Sequence, residues 1–115
     1  MVATQSSTES GGGNVSVATD GAVTRVWLGG VLDAVTVPEV RPALDVLVQR
    51  KPAQVVLDLS RLRIIDGHGV RALAQLYSRL HADGCALTVT GAEQQPLAML
   101  KLFQLDRVLS GPASQ

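Results

Sequence analysis

The alternation of apolar and polar residues predicts a β-hairpin near the start of the chain. Through VSVATDGAVTRVWLGG the two kinds of residue alternate with the period of a half-buried strand. An Asp20-Gly21 pair, which is typical of tight turns, interrupts the alternation. The pattern therefore predicts two antiparallel strands, the second of which closes at Gly29 and Gly30, followed by Val31-Leu32-Asp33.

From Thr36 onward the apolar period becomes that of a helix. Its apolar stripe consists of Val37, Val40, Leu44, Leu47 and Val48. Thr36 and Glu39 have the spacing of a capping box, which predicts the start of this helix. Pro42 would remove a hydrogen bond from the helix interior, so we expect either a kink or a late start there.

The second half of the chain alternates apolar strands with helices. Strands are predicted at 54–59 and 85–90, and Ile64-Ile65 leads into the loop Asp66-Gly67-His68-Gly69. A helix from about His68 to Ala82 has two distinct faces. Its core stripe is Val70, Leu73, Leu76, Tyr77 and Leu80, and its polar side is His68, Arg71, Gln75 and Arg79. A last short helix, entered at Pro96, is expected to turn Leu97, Leu100 and Phe103 inward.

A length of 115 residues and a hydrophobic fraction of 46% indicate one α/β domain with its own core. The predicted order is ββαβαβα, a mixed β-sheet covered by helices, with a short final strand as a further option. The Ser/Thr/Gly-rich segment 1–14 is expected to be a flexible tail. The domain would span 15–110, and 111–115 would be a disordered C-terminus.

Composition restricts the classes of partner. Ten basic and ten acidic residues give a net charge of zero, and aromatic residues make up only 3%, so we expect no nucleic-acid partner. No apolar run is long enough to span a bilayer, so no membrane insertion is expected. A single cysteine, Cys85, suits a reducing compartment and a cytoplasmic location. The expected state is a monomer or weak dimer that binds other proteins.

Two loops at the carboxyl ends of predicted strands are the candidate sites. They are Gly29 to Asp33 and Asp66 to Gly69. Asp66 is expected to cap the following helix, whose free amides could also attract an anion. Alternatively, Asp66 could orient His68 as a general base or hold one edge of a metal ion. The side chains of Arg71 and Arg79 form either a solvated face or a contact surface, and the sequence favours neither.

Taken together, these segments resemble the STAS domain, and within it the bacterial anti-sigma factor antagonists. The resemblance covers about 15–110. Its markers are Gly30-Val31-Leu32-Asp33, Val56-Leu57-Asp58-Leu59-Ser60, Ile65-Asp66-Gly67-His68-Gly69-Val70-Arg71-Ala72-Leu73, Gly84 and Leu105-Asp106-Arg107-Val108-Leu109. Each piece is weak alone, but their combined order is specific.

The resemblance implies partner switching. An antagonist binds an anti-sigma factor that is also a serine kinase and so frees a sigma factor, and phosphorylation of the antagonist breaks the complex. The family pattern at the loop is Asp-Ser-Ser-Gly or Asp-Ser-Thr-Gly, with the second hydroxyl as phosphate acceptor. This chain has His68 at that position and Gly67 before it. It also has Val31 where an acidic residue is frequent and Gln104 where a glycine is common.

Three functional hypotheses follow. The first is an antagonist that binds an anti-sigma factor through Gly30, Asp33, Asp66, Gly67, His68, Gly69, Arg71 and Arg79, without a cofactor. It would be constitutively competent, regulated at another residue such as Ser60, or adapted to a different partner. The second is a STAS adaptor of a stressosome or a lipid-transport ATPase complex. The third is a small enzyme that uses Asp66 and His68.

Overall fold

Seven elements follow one another in the predicted order in the computed structural model, which describes residues 14–105. The strands are β1 (Asn14–Asp20), β2 (Val23–Leu32), β3 (Gln54–Ile65) and β4 (Ala86–Thr90). The helices are α1 (Val37–Gln49), α2 (Gly67–Ala82) and α3 (Gln94–Leu102). The order ββαβαβα and the α/β class are therefore confirmed. The predicted tails lie outside the described residues except for Asn14, which is the first residue of β1 and not part of a tail. Residues 106–110 of the predicted domain also lie outside the described residues, so the optional final strand stays a prediction.

The strands form one mixed sheet in the order β1-β2-β3-β4. β1 and β2 are antiparallel and joined at Gly21, whose φ of +65° is the left-handed conformation that a tight turn requires. β2 with β3 and β3 with β4 are parallel. Both parallel crossovers advance across the sheet in the same direction, so the right-handed rule places α1 and α2 on the same face. The predicted hairpin is confirmed.

The core lies between that face of the sheet and the two helices. Val26, Leu57 and Val89 are buried on three adjacent strands, which agrees with the alternating pattern. The α1 stripe is buried as predicted, and so is the α2 stripe except for Tyr77. Tyr77 is half-buried and stacks on His81, with ring centroids 5.5 Å apart.

The ends of several elements differ from the sequence-based expectation. β2 continues beyond Gly30 to Leu32, because a φ of +73° at Gly30 and a register shift let the strand bend without stopping. β3 is twelve residues long and reaches Ile65. α1 starts at Val37 and runs through Pro42, so the helix does not begin late.

The last helix also differs from the expectation. It begins at Gln94, two residues before Pro96. Leu100 is buried and Leu97 is half-buried, but Phe103 is 48% exposed, so its predicted inward orientation was wrong. The physical reason is that α3 ends at Leu102, and Phe103 follows the last helical turn.

Candidate functional site

The two candidate loops meet at one edge of the sheet. Leu32 and Ile65, the last residues of β2 and β3, are neighbours in the parallel register. The backbone N–H of Asp66 donates to the carbonyl of Leu32 over 3.1 Å, which ties the second loop to the end of β2. The carboxyl ends of two adjacent strands therefore bring Asp33 and Asp66 to the same edge, as the topology predicted.

Asp66 caps α2. Its Oδ1 accepts hydrogen bonds from the backbone N–H groups of His68, at 2.8 Å, and Gly69, at 3.0 Å. The bond from Gly69 is the main reason that the pKa of Asp66 lies below its ordinary value. The predicted cap is confirmed. Because Asp66 already takes up these two amides, they are not free for an external anion, contrary to the expectation for this loop.

His68 is exposed beside the cap. Its side chain is 65% exposed, and its Nδ1 lies 3.5 Å from Oδ2 of Asp66. That distance is long for a hydrogen bond, and the Asp66 carboxylate makes its short bonds to backbone amides instead. The Asp66 carboxylate therefore shapes the loop, and the imidazole of His68 stays exposed.

Gly67 and Gly69 differ sharply in their surroundings. A Cβ on Gly67 would meet nothing within 4 Å, whereas a Cβ on Gly69 would lie 2.5 Å from the carbonyl oxygen of Leu32. The same Cβ would lie 2.6 Å from Cγ1 of Ile65. Gly69 is buried, so its role is to let α2 approach the ends of the strands. Its predicted direct contact with a partner does not fit this position.

Asp33 caps the turn that leads into α1. Its Oδ1 accepts from the backbone N–H of Val35 and that of Thr36, both at 3.0 Å. The Thr36 hydroxyl in return accepts from the Asp33 N–H at 2.9 Å and donates to the carbonyl of Val31 at 2.8 Å. The reciprocal bonds thus join Asp33 and Thr36, and the predicted capping box of Thr36 with Glu39 was wrong. Thr36 makes no side-chain cap bond to α1, and its hydroxyl oxygen accepts from the Asp33 N–H instead.

The remaining residues predicted to contact a partner lie at different distances from the two loops. Arg71 is exposed one turn after His68. Arg79 lies eleven positions after His68, about 16 Å along the helix axis. Its Nη1 pairs with Oδ1 of Asp45 on α1 at 2.7 Å. Gly30, half-buried within β2, shapes the strand that leads to Asp33. The structure therefore brings Asp33 and Asp66 to Gly69 together, and places Arg79 elsewhere.

Sequence reasoning missed three exposed apolar side chains beside these loops. Val31 and Ile64 are register partners on β2 and β3 and are 42% and 44% exposed. Val35, in the turn capped by Asp33, is 71% exposed. We call the combined region the carboxyl-edge surface; it consists of Val31, Asp33, Val35, Ile64 and Asp66 to His68. The alternation along β2, with Leu28 and Leu32 buried, was the signal that could have placed Val31 outside.

Gln95 was also missed, although it supports the edge directly. Its side chain makes two hydrogen bonds of 2.9 Å with the backbone of Ile65, one from the Ile65 N–H and one to the Ile65 carbonyl. The pairing of β3 with β4 ends at Asp58 and Thr90, so this part of β3 runs beyond its neighbouring strand. The amide of Gln95 replaces a strand partner immediately before Asp66.

The comparisons with known proteins agree with this architecture. The family described as "Mlab, STAS domain" matches residues 15–110. The chain therefore belongs to the STAS domain family, which confirms the resemblance drawn from the sequence. A search of the curated proteins found no match to this chain.

Several solved structures share the fold. An anti-sigma factor antagonist from Mycobacterium paratuberculosis has a TM-score of 0.77 at 24% identity, with 85% of this chain and 83% of that chain covered. The anti-sigma factor antagonist SpoIIAA in its unphosphorylated form has a TM-score of 0.63 at 18% identity, with 78% and 81% covered. A sulfate transporter family protein from Wolinella succinogenes has a TM-score of 0.67 at 21% identity, with 80% and 75% covered.

Among residues 14–105, no group of three or more His, Cys, Asp or Glu side chains could hold a metal ion. In the same part of the chain, no helix has the length and apolar character needed to cross a membrane.

Proposed function

We propose that this protein is an anti-sigma factor antagonist that binds an anti-sigma factor of the serine-kinase type and thereby frees a sigma factor for transcription. The observation that carries the proposal is the carboxyl-edge surface. There, two aspartate-capped loops hold His68 and three apolar side chains in exposed positions on a STAS fold. Two proteins with this fold are anti-sigma factor antagonists, which supports the same function.

The composition of the surface is that of a protein-binding site. Val31 and Ile64 lie side by side on the sheet, and exposed apolar side chains that adjoin one another on a monomer mark contact surfaces. The capped loops are held by hydrogen bonds from backbone amides to the side chains of Asp33 and Asp66, so little ordering entropy would be lost when a partner binds. A rigid apolar patch with a polar rim is the usual anatomy of an interface core.

Regulation at this surface would differ from the usual switch. Neither Gly67 nor His68 has a hydroxyl, so a serine kinase has no acceptor within the loop. We propose that the unmodified protein stays competent to bind. Ser60 is an alternative regulated residue. It is exposed, and its N–H donates to Oδ1 of Asp58 at 2.9 Å, so a phosphate there would sit beside a carboxylate.

A second candidate is a STAS adaptor of a stressosome or a lipid-transport ATPase complex. The missing hydroxyls favour it, because such a role does not need a phosphate acceptor at residue 68. The matching family is also described by the name Mlab rather than as an antagonist family. We propose no catalytic role for Asp66 and His68, since the Asp66 carboxylate is committed to the helix cap.

Affinity capture from the native cell with matched surface variants tests the proposal. Val35→Asp places a charge on the carboxyl-edge surface, and Val46→Asp places the same charge on an exposed valine of α1 outside it. Mass spectrometry should identify an anti-sigma factor bound to the native protein and to Val46→Asp. Val35→Asp should lose it by about tenfold or more, as burial of an unpaired charge at an interface would cause.

A transcriptional reporter completes that test. Overproduction of the native protein should raise expression from a promoter that depends on the freed sigma factor, and Val35→Asp should not. Capture of transport-ATPase subunits would replace the proposal with the second candidate. Equal binding by both valine variants would show that the partner uses a different surface.

A further inference from the structure

A recess lies between α1 and α2 and extends to Leu32 at the end of β2. Its interior is apolar, and its rim is polar. The lining residues are Leu32, Val37, Val40, Leu44, Ala72 and Leu76 inside, with Arg41, Asp45, Gln75 and Arg79 at the rim. We call it the interhelix groove. Because its walls are core residues of α1 and α2, its shape is fixed by the fold itself.

The charges around the interhelix groove are unbalanced. Asp45 is the acidic residue that lines it, and the 2.7 Å pair with Arg79 takes up its charge. Arg41 on the rim and Arg71 on the exposed side of α2 make no ion pair within residues 14–105. The whole of α2 contains no Asp or Glu. Arg41 therefore borders the recess with an uncompensated guanidinium group, and Arg71 carries a second one on the adjoining exposed part of α2.

The two arginines are placed to act together. Arg71, Gln75 and Arg79 recur every four residues on α2 and so form one row along it. Gln75 and Arg79 of that row line the groove, and Arg71 lies one turn before Gln75, toward the start of the helix. Arg41 is one turn before Asp45 on the facing helix. The positive charge therefore borders the half of the groove that is nearer the helix N-termini.

We infer that the interhelix groove binds an amphipathic helix of the protein partner, whose apolar face lies across the seam between α1 and α2 and whose flanking carboxylates pair with Arg41 and Arg71. A guanidinium pairs well with a carboxylate, whereas a basic or neutral helix would leave both arginines uncompensated. An apolar anchor with acidic neighbours at helical spacing matches both the interior and the rim. This inference extends the proposed function by giving the partner's chemistry, and it rests on that function only in assigning the helix to the same partner.

Synthetic helical peptides test the groove without the natural partner. One fluorescent peptide carries leucines at i, i+3, i+4 and i+7 with glutamates elsewhere, and a second has lysines in place of the glutamates. Fluorescence anisotropy at about 0.15 M ionic strength should show binding of the glutamate peptide and at least about tenfold weaker binding of the lysine peptide. The double variant Arg41→Glu/Arg71→Glu should reverse this preference.

Matched controls locate the effect. Arg50→Glu makes the same charge change at the exposed C-terminal end of α1 and should leave the affinity for the glutamate peptide within about twofold. Arg41→Gln/Arg71→Gln removes the charges without reversal and should weaken binding less than the glutamate pair. Amide NMR shifts caused by the glutamate peptide should centre on Val40, Ala72 and Gln75.

The outcomes separate this inference from the proposed function. Equal affinity for the two peptides, no binding of either, or shifts centred away from the groove would overturn the inference and leave the capture experiment unaffected. If the glutamate peptide binds the groove but the capture experiment yields transport-ATPase subunits, the inference about the groove is supported and the anti-sigma assignment is overturned.

Discussion

Gly69→Ala gives a direct test of the packing that positions the carboxyl-edge surface. The new Cβ would lie 2.5 Å from the backbone oxygen of Leu32 and 2.6 Å from Cγ1 of Ile65. Both distances are well inside van der Waals contact, so α2 or the ends of two strands must move. The Leu32 oxygen also accepts the N–H of Asp66 at 3.1 Å, so the displacement would strain the link between the two loops.

The size of the effect follows from two opposing contributions. Overpacking of a rigid site costs about 1–3 kcal/mol. Alanine in place of glycine within a helix recovers up to about 1 kcal/mol of propensity. We therefore expect Gly69→Ala to lower the free energy of unfolding by about 1–2 kcal/mol, which in a domain of this size lowers Tm by about 4–16 °C.

Gly67→Ala is the matched control, because it makes the same chemical change two residues earlier. Nothing lies within 4 Å of the position of its Cβ. Alanine should stabilise the protein there by about 0.4–1 kcal/mol through a lower entropy of the unfolded chain. Urea and thermal unfolding followed by circular dichroism measure both variants. If Gly69→Ala proved as stable as Gly67→Ala, the close-approach explanation for Gly69 would be refuted.

Three further predictions concern the cap, the switch position and the tail. Hydrogen bonds to the Asp66 carboxylate lower its pKa in the folded state. The ionised carboxylate therefore stabilises the fold fully at pH values above the pKa of the unfolded chain, and this stabilisation is lost as the pH falls through the pKa of the folded state. Asparagine does not titrate, so the urea midpoint of Asp66→Asn should fall less between about pH 7 and about pH 3 than that of the native protein. Parallel plots of urea midpoint against pH for the two proteins would contradict this. With an anti-sigma kinase and ATP, the native protein should gain no phosphate at 66–69, whereas His68→Ser should gain one and release its partner, because the phosphate adds charge at the contact. Intact-mass measurement and pull-down with and without ATP follow both events, and a native protein that gains phosphate and releases its partner would place the switch elsewhere. Deletion of 1–13, which precede β1, should leave the unfolding midpoint nearly unchanged, and a large loss of stability would show that this segment belongs to the domain.

The elements with clear periodicity could be predicted from the sequence. The buried stripe of α1, including Val40 and Leu44, follows from helical spacing alone. The hairpin follows from alternation around Asp20-Gly21. The position of Asp66 before an apolar helix was enough to predict its cap. In each case the signal is local, because the interacting residues lie within a few positions of one another.

The features that the sequence did not predict depend on competing hydrogen bonds or on contacts between residues that are far apart in the sequence. Thr36 has the spacing of a capping box with Glu39, but its hydroxyl donates to the carbonyl of Val31 and accepts from the Asp33 N–H, so it makes no side-chain cap bond to α1. From the sequence, Gly69 is interpreted as a glycine that permits a tight turn. Its close packing against the ends of β2 and β3 is evident only in the structure. The exposure of Ile64 depends on register shifts between β2 and β3, which no local pattern encodes.

The bond between Gln95 and Ile65 has a consequence for the motions of the edge. Strand pairing usually protects an amide from hydrogen exchange until a large part of a sheet opens, but here one glutamine side chain protects the N–H of Ile65. Because Gln95 belongs to α3, hydrogen exchange at the Ile65 amide requires α3 to move away from β3. The exchange rate is therefore set by this local motion and not by opening of the sheet. Since Ile65 precedes Asp66, a ligand that held α3 more firmly would slow exchange at the edge without touching either capped loop.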